Sequence, residues 1–403
     1  MGGMILPPAS WRDRAGLDSL ARALGAERGE ARFVGGAVRD TLLGLAVADV
    51  DMATVHRPDA MLALLDQAGI RSVPTGLQHG TITAILESGP VEITTLRHDL
   101  DTDGRHATVA FTDDWQADAA RRDFTMNALY ADPLTGELFD YFGGLADLEA
   151  RRVRFIGDPL QRIAEDHLRI LRFFRFLARF GDSPDPAGLA ACVARSNDLM
   201  ALSRERIADE LLKLLVARSA VPVVALMVEQ SVLTPVLPEI TGESVARLRE
   251  CARIEEECAI APDSVRRLAA LLPRDSKAAE AIAARLKLSN AQRKRLGLAV
   301  QQAHGGAREL AYRLGTESAI DRLILDPRRG DCSEISAIVD WQVPALPLKG
   351  GALVQRGIAK GPDVARLLRE IEDQWIAEGF PDAARVEQLA DEKTDQALRS
   401  TRN

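Results

Sequence analysis

The sequence predicts an α+β N-terminal region, a mixed sheet packed by helices, followed by an all-α remainder. Two textures and one length carry that prediction. Up to about residue 155, short apolar or alternating runs are punctuated by glycine and interleaved with a helical segment. From about Pro159, helical patterning dominates to the end. The chain has 403 residues, which at ~150 residues per domain means two to four domains.

The elements follow in order. Arg32–Val34 is a short strand ending in Gly35-Gly36. Asp49–Thr54, Thr81–Leu86 and Val91–Leu96 alternate polar and apolar residues, as half-buried strands do. Asp59–Ala68 reads as a helix between them, and Pro133, Gly136, Gly143 and Gly144 mark turns. Glu165–Phe180 lacks glycine and proline and reads as one continuous helix, with a loop at Asp182–Gly188. Helices are expected at Ser203–Arg218, Val221–Gln230, Ser244–Glu257, Ser264–Leu272 and Ser276–Lys287. More are expected at Ala291–Ala303, Ala307–Leu314, Glu317–Leu325, Cys332–Trp341 and Pro362–Ala377. Pro344–Gly351 is a break, and polar Asp391–Asn403 reads as a frayed end.

Composition excludes several classes. A hydrophobic fraction of 46% with 27% charged residues fits a folded chain and not a disordered one. No apolar run reaches the ~20 residues of a membrane span, and Met1–Ser10 has no secretory pattern. Cys192, Cys251, Cys258 and Cys332 lack CxxC spacing, which argues against structural zinc or a disulfide framework and for a reducing cytosol. The net charge of −8 means that any nucleic acid must be held by local basic patches.

Five constellations carry candidate chemistry. Gly35 and Gly36, between a strand and a helix, let backbone N–H groups approach a phosphate, and Arg39 reaches the same anion. Asp49 and Asp51, two apart on a strand, project from one face; together they suit an oxygen-liganded Mg²⁺. Taken alone they would be a solvated strand edge. Glu92 lies in a strand otherwise suited to burial, so it is either edge-exposed or a third carboxylate for metal or base work. Arg122 and Asp123 could hold a triphosphate and a ribose hydroxyl, or form a helix-capping salt bridge. Residues 151–180 carry eight arginines against three acids, a local +5. On one helix Asp166, Arg169, Arg172 and Arg175 would recur at i, i+3, either as a salt-bridged outer face or as an inward arginine row. The polar segment Asp101–Ala107, with Arg105, is a mobile loop over a site or a surface hairpin.

In sequence order, these motifs are Gly-Gly-Ala-Val-Arg-Asp with Asp-Val-Asp, Glu-Ile-Thr-Thr-Leu-Arg, Thr-Asp-Gly-Arg-His, Arg-Arg-Asp-Phe-Thr-Met-Asn-Ala and Glu-Asp-His-Leu-Arg-Ile-Leu-Arg. Over residues 30–180 the chain resembles the bacterial and eukaryotic tRNA nucleotidyltransferase and poly(A) polymerase family, above all its CCA-adding members. The resemblance implies a nucleotidyltransferase head (1–155), a neck with the base-reading motif (156–218), a helical body (219–343) and an RNA-binding tail (344–403). It implies that Gly36 and Arg39 hold phosphates, that Asp49 and Asp51 hold two Mg²⁺ ions, and that Glu92 completes the carboxylate set. It further implies that Arg122 and Asp123 bind the nucleotide and that Asp166, Arg169, Arg172 and Arg175 read the base and brace the triphosphate. The substrates implied are CTP, ATP and the 3′ end of tRNA, in the cytoplasm, with no membrane. Nothing in the sequence fixes an oligomeric state.

Rival readings remain. A poly(A) polymerase of the family would carry a basic run where this chain has Pro74–Thr83. An enzyme adding only CC is disfavoured by the complete loop around Arg105 and His106; an A-only enzyme is harder to separate. A tRNA-binding protein with a relic pocket is disfavoured by the intact Asp49, Asp51 and Glu92.

Overall fold

A computed structural model describes residues 4–102, 107–329 and 331–400. Its strands of three or more residues are β1 (Ala31–Val34), β2 (Asp51–Thr54), β3 (Ser72–Gly76), β4 (Thr81–Leu86), β5 (Gly89–Thr95), β6 (Arg97–Thr102), β7 (Ala107–Phe111), β8 (Leu129–Ala131) and β9 (Leu138–Asp140). Seven of them form a mixed sheet in the order β3-β4-β5-β2-β1-β8-β9, while β6 and β7 pair as a separate antiparallel ribbon. Within the sheet β2 and β5 run parallel and the other neighbours antiparallel. The interior strand β1 is short and almost wholly buried, which its sequence Ala-Arg-Phe-Val permits on both faces.

The first helices are α1 (Leu17–Ala23), α2 (Gly36–Leu42), α3 (Pro58–Gln67), α4 (Trp115–Ala120) and α5 (Gly144–Glu149). Then come α6 (Pro159–Glu165), α7 (Arg169–Phe180), α8 (Pro186–Ala194), α9 (Arg204–Leu215) and α10 (Ala220–Glu229). The later ones are α11 (Gly242–Glu257), α12 (Ser264–Leu271), α13 (Ser276–Arg285), α14 (Asn290–Ala299) and α15 (Ala307–Leu314). Last come α16 (Thr316–Leu325), α17 (Cys332–Val339), α18 (Gly350–Gln355), α19 (Pro362–Ala377) and α20 (Ala383–Ser400). None is long and apolar enough to cross a membrane.

The chain divides into two compact units. One comprises residues 1–249, 263–272 and 281–290; the other comprises 250–262, 273–280 and 291–403. The first unit contains the sheet and everything that builds the site. Its core ties the sheet to α7 through rings: Phe124 packs on Phe155 and Phe176 at centroid distances of 5.0 and 5.1 Å, and Phe155 stacks on Phe173 at 5.5 Å. In the second unit, Leu353, Leu367, Ile371, Trp375, Val386 and Leu389 close a core among α18, α19 and α20.

Four expectations are corrected. Glu165–Phe180 is not one helix. Asp166 has extended backbone (φ −150°, ψ 106°) and ends α6, and α7 starts at Arg169. Asp49 precedes β2 and is not part of it. Residues 391–400 are not frayed, since α20 continues to Ser400 with Val386 and Leu389 buried; residues 401–403 lie outside the described residues. The fourth concerns the cysteines. Cys258, just beyond α11, and Cys332, the first residue of α17, form a disulfide with a Cα–Cα distance of 5.0 Å. Their 74-residue separation hides from the sequence a proximity that only the fold creates. Cys192 and Cys251 are buried and take no part in the disulfide.

Candidate active site

The site starts at the turn from β1 into α2. Gly35 adopts φ +70°, ψ −120°, a conformation that side chains with a Cβ avoid. Space is not the constraint, because a Cβ there would meet Arg122 only at 3.5 Å. Arg39, one turn into α2, is buried; its Nε donates to Asp40 at 2.7 Å and its Nη1 to the Asn127 side chain at 2.5 Å. Burial lowers its pKa, against the pull of Asp40.

The carboxylates sit where β2 meets β5. Asp51 and Glu92 are direct partners in the parallel register, and the Glu92 N–H donates to the Val50 carbonyl at 3.3 Å. Asp51 is half-buried, while Asp49 and Glu92 are exposed. Burial pushes the Asp51 carboxyl up to about 6; Glu92 and, less strongly, Asp49 push the same way, and Arg122 opposes them. Carboxylates that repel one another through a partly dry site are what an oxygen-liganded divalent cation relieves, so the donor set fits one. Among the described residues, no group of three His, Cys, Asp or Glu forms a ready-made cage. Bound phosphate oxygens would complete the coordination.

Within α4, the fully buried Asp118 organises the arginines. It accepts from Arg121 at 2.8 Å, from Arg122 at 3.2 Å and from the Tyr130 hydroxyl at 2.7 Å. Burial alone would raise its pKa, but Arg122, Arg121 and Tyr130 overcome that and hold it at about 2. Asp123 is committed within the protein. It accepts from the Phe124 N–H (2.8 Å), the Asn127 amide (2.9 Å) and Arg172 Nε (2.7 Å).

The break at Asp166 changes its partnership. Its carboxylate takes the Leu168 N–H at 3.0 Å and Arg206 of α9 at 3.0 and 3.2 Å; the expected side-chain pair with Arg169 is absent. Arg169 donates to Glu165 at 2.7 Å and to the carbonyls of Arg162 and Arg121 at 2.9 and 3.0 Å. Arg169 and Arg175 of α7 do turn inward, at 11% and 14% exposed, while Arg179 is 46% exposed.

One cavity of about 370 Å³ collects most of these residues. Gly35, Gly36, Arg39, Asp51, Arg122 and Asp123 line it from the sheet side. Asp166, Arg169 and Arg172 line it from the α6–α7 side, with Asn127 and Phe176. Asp49, Glu92 and Arg175 are not among the lining residues, and Arg105 lies outside the described residues. A larger cavity of about 550 Å³, beside Arg12, Arg14 and Leu134, contains none of these groups. Sequence reasoning missed Asp118, Asn127, Arg206 and Glu210. Asp118 was findable, since it precedes Arg121 and Arg122 at helical spacing. Arg206 and Glu210 reach the site from α9 with no local signal.

A glycine turn, carboxylates on adjoining parallel strands and an inward arginine row define a nucleotidyltransferase palm. Family comparison agrees: residues 31–154 match the Poly A polymerase head domain, and residues 183–243 match the probable RNA and SrmB-binding site of polymerase A. The chain is 36% identical over 384 residues to the mitochondrial CCA tRNA nucleotidyltransferase 1 of Homo sapiens, covering 91% of this chain and 87% of that one. It is 42% identical over 192 residues to the CCA-adding enzyme of Levilactobacillus brevis, covering 47% of each. The crystal structure of the Bacillus stearothermophilus CCA-adding enzyme in complex with CTP shares the fold, with a TM-score of 0.74 at 24% identity over 96% of this chain and 100% of that one. The chain belongs to the tRNA nucleotidyltransferase/poly(A) polymerase family.

Proposed function

We propose that the protein adds C, C and A to the 3′ end of tRNA from CTP and ATP, without a nucleic-acid template. The observation that carries this reading is that a single cavity holds both a phosphate-type end (Gly36, Arg39, Arg122) and a base-reading end (Asp166, Arg169). The terminal RNA hydroxyl attacks the α-phosphorus, a new P–O bond forms, and the bond to pyrophosphate breaks. Asp49 and Asp51, with Glu92 beside them, would hold divalent metal, which we take to be Mg²⁺; when bound it lowers the pKa of the attacking hydroxyl and neutralises the leaving charge. Arg39 and Arg122 orient the triphosphate. Arg172, fixed by Asp123, keeps the α7 wall in place.

Base choice follows from pairing. Asp166 accepts from the exocyclic amine of C or A, and Arg169 donates to the adjacent ring nitrogen. G and U would leave both groups unpaired, a mismatch that can reach ~10⁴-fold discrimination. A carboxylate offers about four acceptor positions. Asp166 uses three, for Leu168 and Arg206, so one acceptor position is open to an amine. We further propose the division into head (1–155), neck (156–218), body (219–343) and tail (344–403). We place the enzyme in the cytoplasm, where tRNA, CTP and ATP occur together.

The test is extension of three primers with labelled CTP and ATP: tRNA lacking CCA, tRNA ending in CC, and oligo(A). Addition of C, C and A to the first and of A to the second, with oligo(A) left alone, is expected. Extension of oligo(A) would make it a poly(A) polymerase, and inertness towards the first primer alone would make it an A-only enzyme.

A further inference from the structure

A second cavity, about 510 Å³, is lined by Arg175, Arg179, Lys213, Val216, Ala217 and Arg218. Four of these six side chains are cations, in a chain whose net charge is −8. The two cavities share α7: Arg172 and Phe176 face the first, Arg175 and Arg179 the second. Two buried carboxylates form the partition between them. Asp40, 7% exposed, pairs with Arg39 at 2.7 Å and with Arg179 at 3.4 Å. Glu210, 4% exposed, pairs with Arg175 at 2.5 Å and with Arg172 at 3.8 Å. Each acid thus joins an arginine of one cavity to an arginine of the other.

Ordinary surface pairing accounts for part of this charge. Lys213 meets Asp209 and Arg218 meets Asp182, both at 2.7 Å, with all four side chains more than half exposed. Such pairs contribute little, and a phosphate can take over the cation with small loss. The lining has no aromatic ring, so base stacking is not on offer. Val216 and Ala217 give only a narrow apolar floor. Several cations around a concave surface without rings suit a run of phosphates better than a nucleobase.

We propose that this cavity binds the backbone phosphates of the single-stranded RNA 3′ end, behind the nucleotide being joined. The inference rests on the function proposed above: the terminal hydroxyl must reach the first cavity, so the preceding phosphates pass over an adjoining surface. It adds the residues that hold them, namely Arg179, Lys213 and Arg218.

The double variant Lys213→Ala/Arg218→Ala tests it, with Lys213→Arg/Arg218→Lys as the charge-preserving control and thermal melting as the check on folding. Binding of labelled tRNA lacking CCA is read by fluorescence anisotropy across a salt series. The double variant should bind tRNA roughly tenfold more weakly, with the slope of log K against log salt reduced by about 2. The KM for CTP at saturating tRNA should hold, and the control should bind as wild type does. Should the double variant melt early, Arg179→Gln alone should show a smaller loss of the same kind. Unchanged tRNA affinity in a folded variant overturns the proposal. So does an equal rise in the KM for CTP, which would make the cavity part of the triphosphate site. Binding is measured without transfer, so a wild-type chain that binds tRNA but does not extend it would defeat the functional reading while the cavity is still decided.

Discussion

Asp51 shows, at the scale of one residue, the cost of gathering carboxylates: burial and two like charges push it up to about 6. Asp49→Ala or Asp51→Ala should lower transfer roughly a thousandfold or more, since metal-assisted charge stabilisation is worth several kcal/mol. Melting temperature and tRNA affinity should stay near wild type; transfer persisting at the wild-type rate would remove the assignment. Asp118 is the opposite case, held at about 2 by its arginines and Tyr130. A depressed acid stabilises the fold above its unfolded pKa and loses that contribution as pH falls through the folded value. Asp118→Asn should therefore cost about 2 kcal/mol at pH 7. The gap to wild type should close between about pH 4 and pH 2, as seen in melts across that range. Asp166→Ala should relax rejection of UTP and GTP while slowing CTP and ATP use, and Arg169→Ala should do likewise. A uniform loss across all four nucleotides would mean that the residue braces phosphate. Gly36, Arg39, Asp51, Arg122 and Asp166 were legible because their motifs are local and contiguous. Arg206 and Glu210 were not, because α9 reaches the cavity only through packing.

At the scale of elements, turn chemistry and periodicity read well. The strands β1 and β4 and the helices α3, α15 and α19 fall within about a residue of where punctuation put them. The break between α6 and α7 was illegible, since Glu165–Arg169 contains no helix breaker. It arises from partners far away in sequence: Arg206 takes the Asp166 carboxylate, and Arg169 reaches back to the Arg121 carbonyl. The β1–α2 turn offers a direct test. Gly35→Ala should cost roughly 1–3 kcal/mol, because the residue must keep a glycine-only conformation. It should also raise the KM for CTP by displacing α2 and Arg39. Denaturant melts read the first effect and initial rates the second; a stable variant with normal KM would show that the turn can relax.

For the whole molecule, the order of the chain—a sheet region first, then helices—was evident from texture, but the pairing of distant helix ends was not. The Cys258–Cys332 bond closes a 74-residue loop, for which chain-entropy reasoning gives about 4 kcal/mol of stabilisation. Reductant should lower the melting temperature of the wild type and leave Cys332→Ser indifferent. Equal melting with and without reductant would mean that the bond does not form in solution. Net charge acts at this scale too. With −8 overall, tRNA affinity must come from local clusters and should fall steeply with salt.

The parallel pairing of β2 with β5 has a consequence for how such a chain can change over time. Asp51 and Glu92 are neighbours in space, and all that lies between them in sequence—α3, β3 and β4—is an excursion with both ends anchored. Lengthening a tethered excursion carries only a logarithmic entropic penalty. Insertions near the Gly69 or Gly80 turns should therefore leave the carboxylate-bearing edge intact. Losing one residue inside Asp51–Thr54 would turn its alternating side chains to the opposite face. The acidic edge is thus insulated from drift in the length of its surroundings and exposed to any slip in its own register.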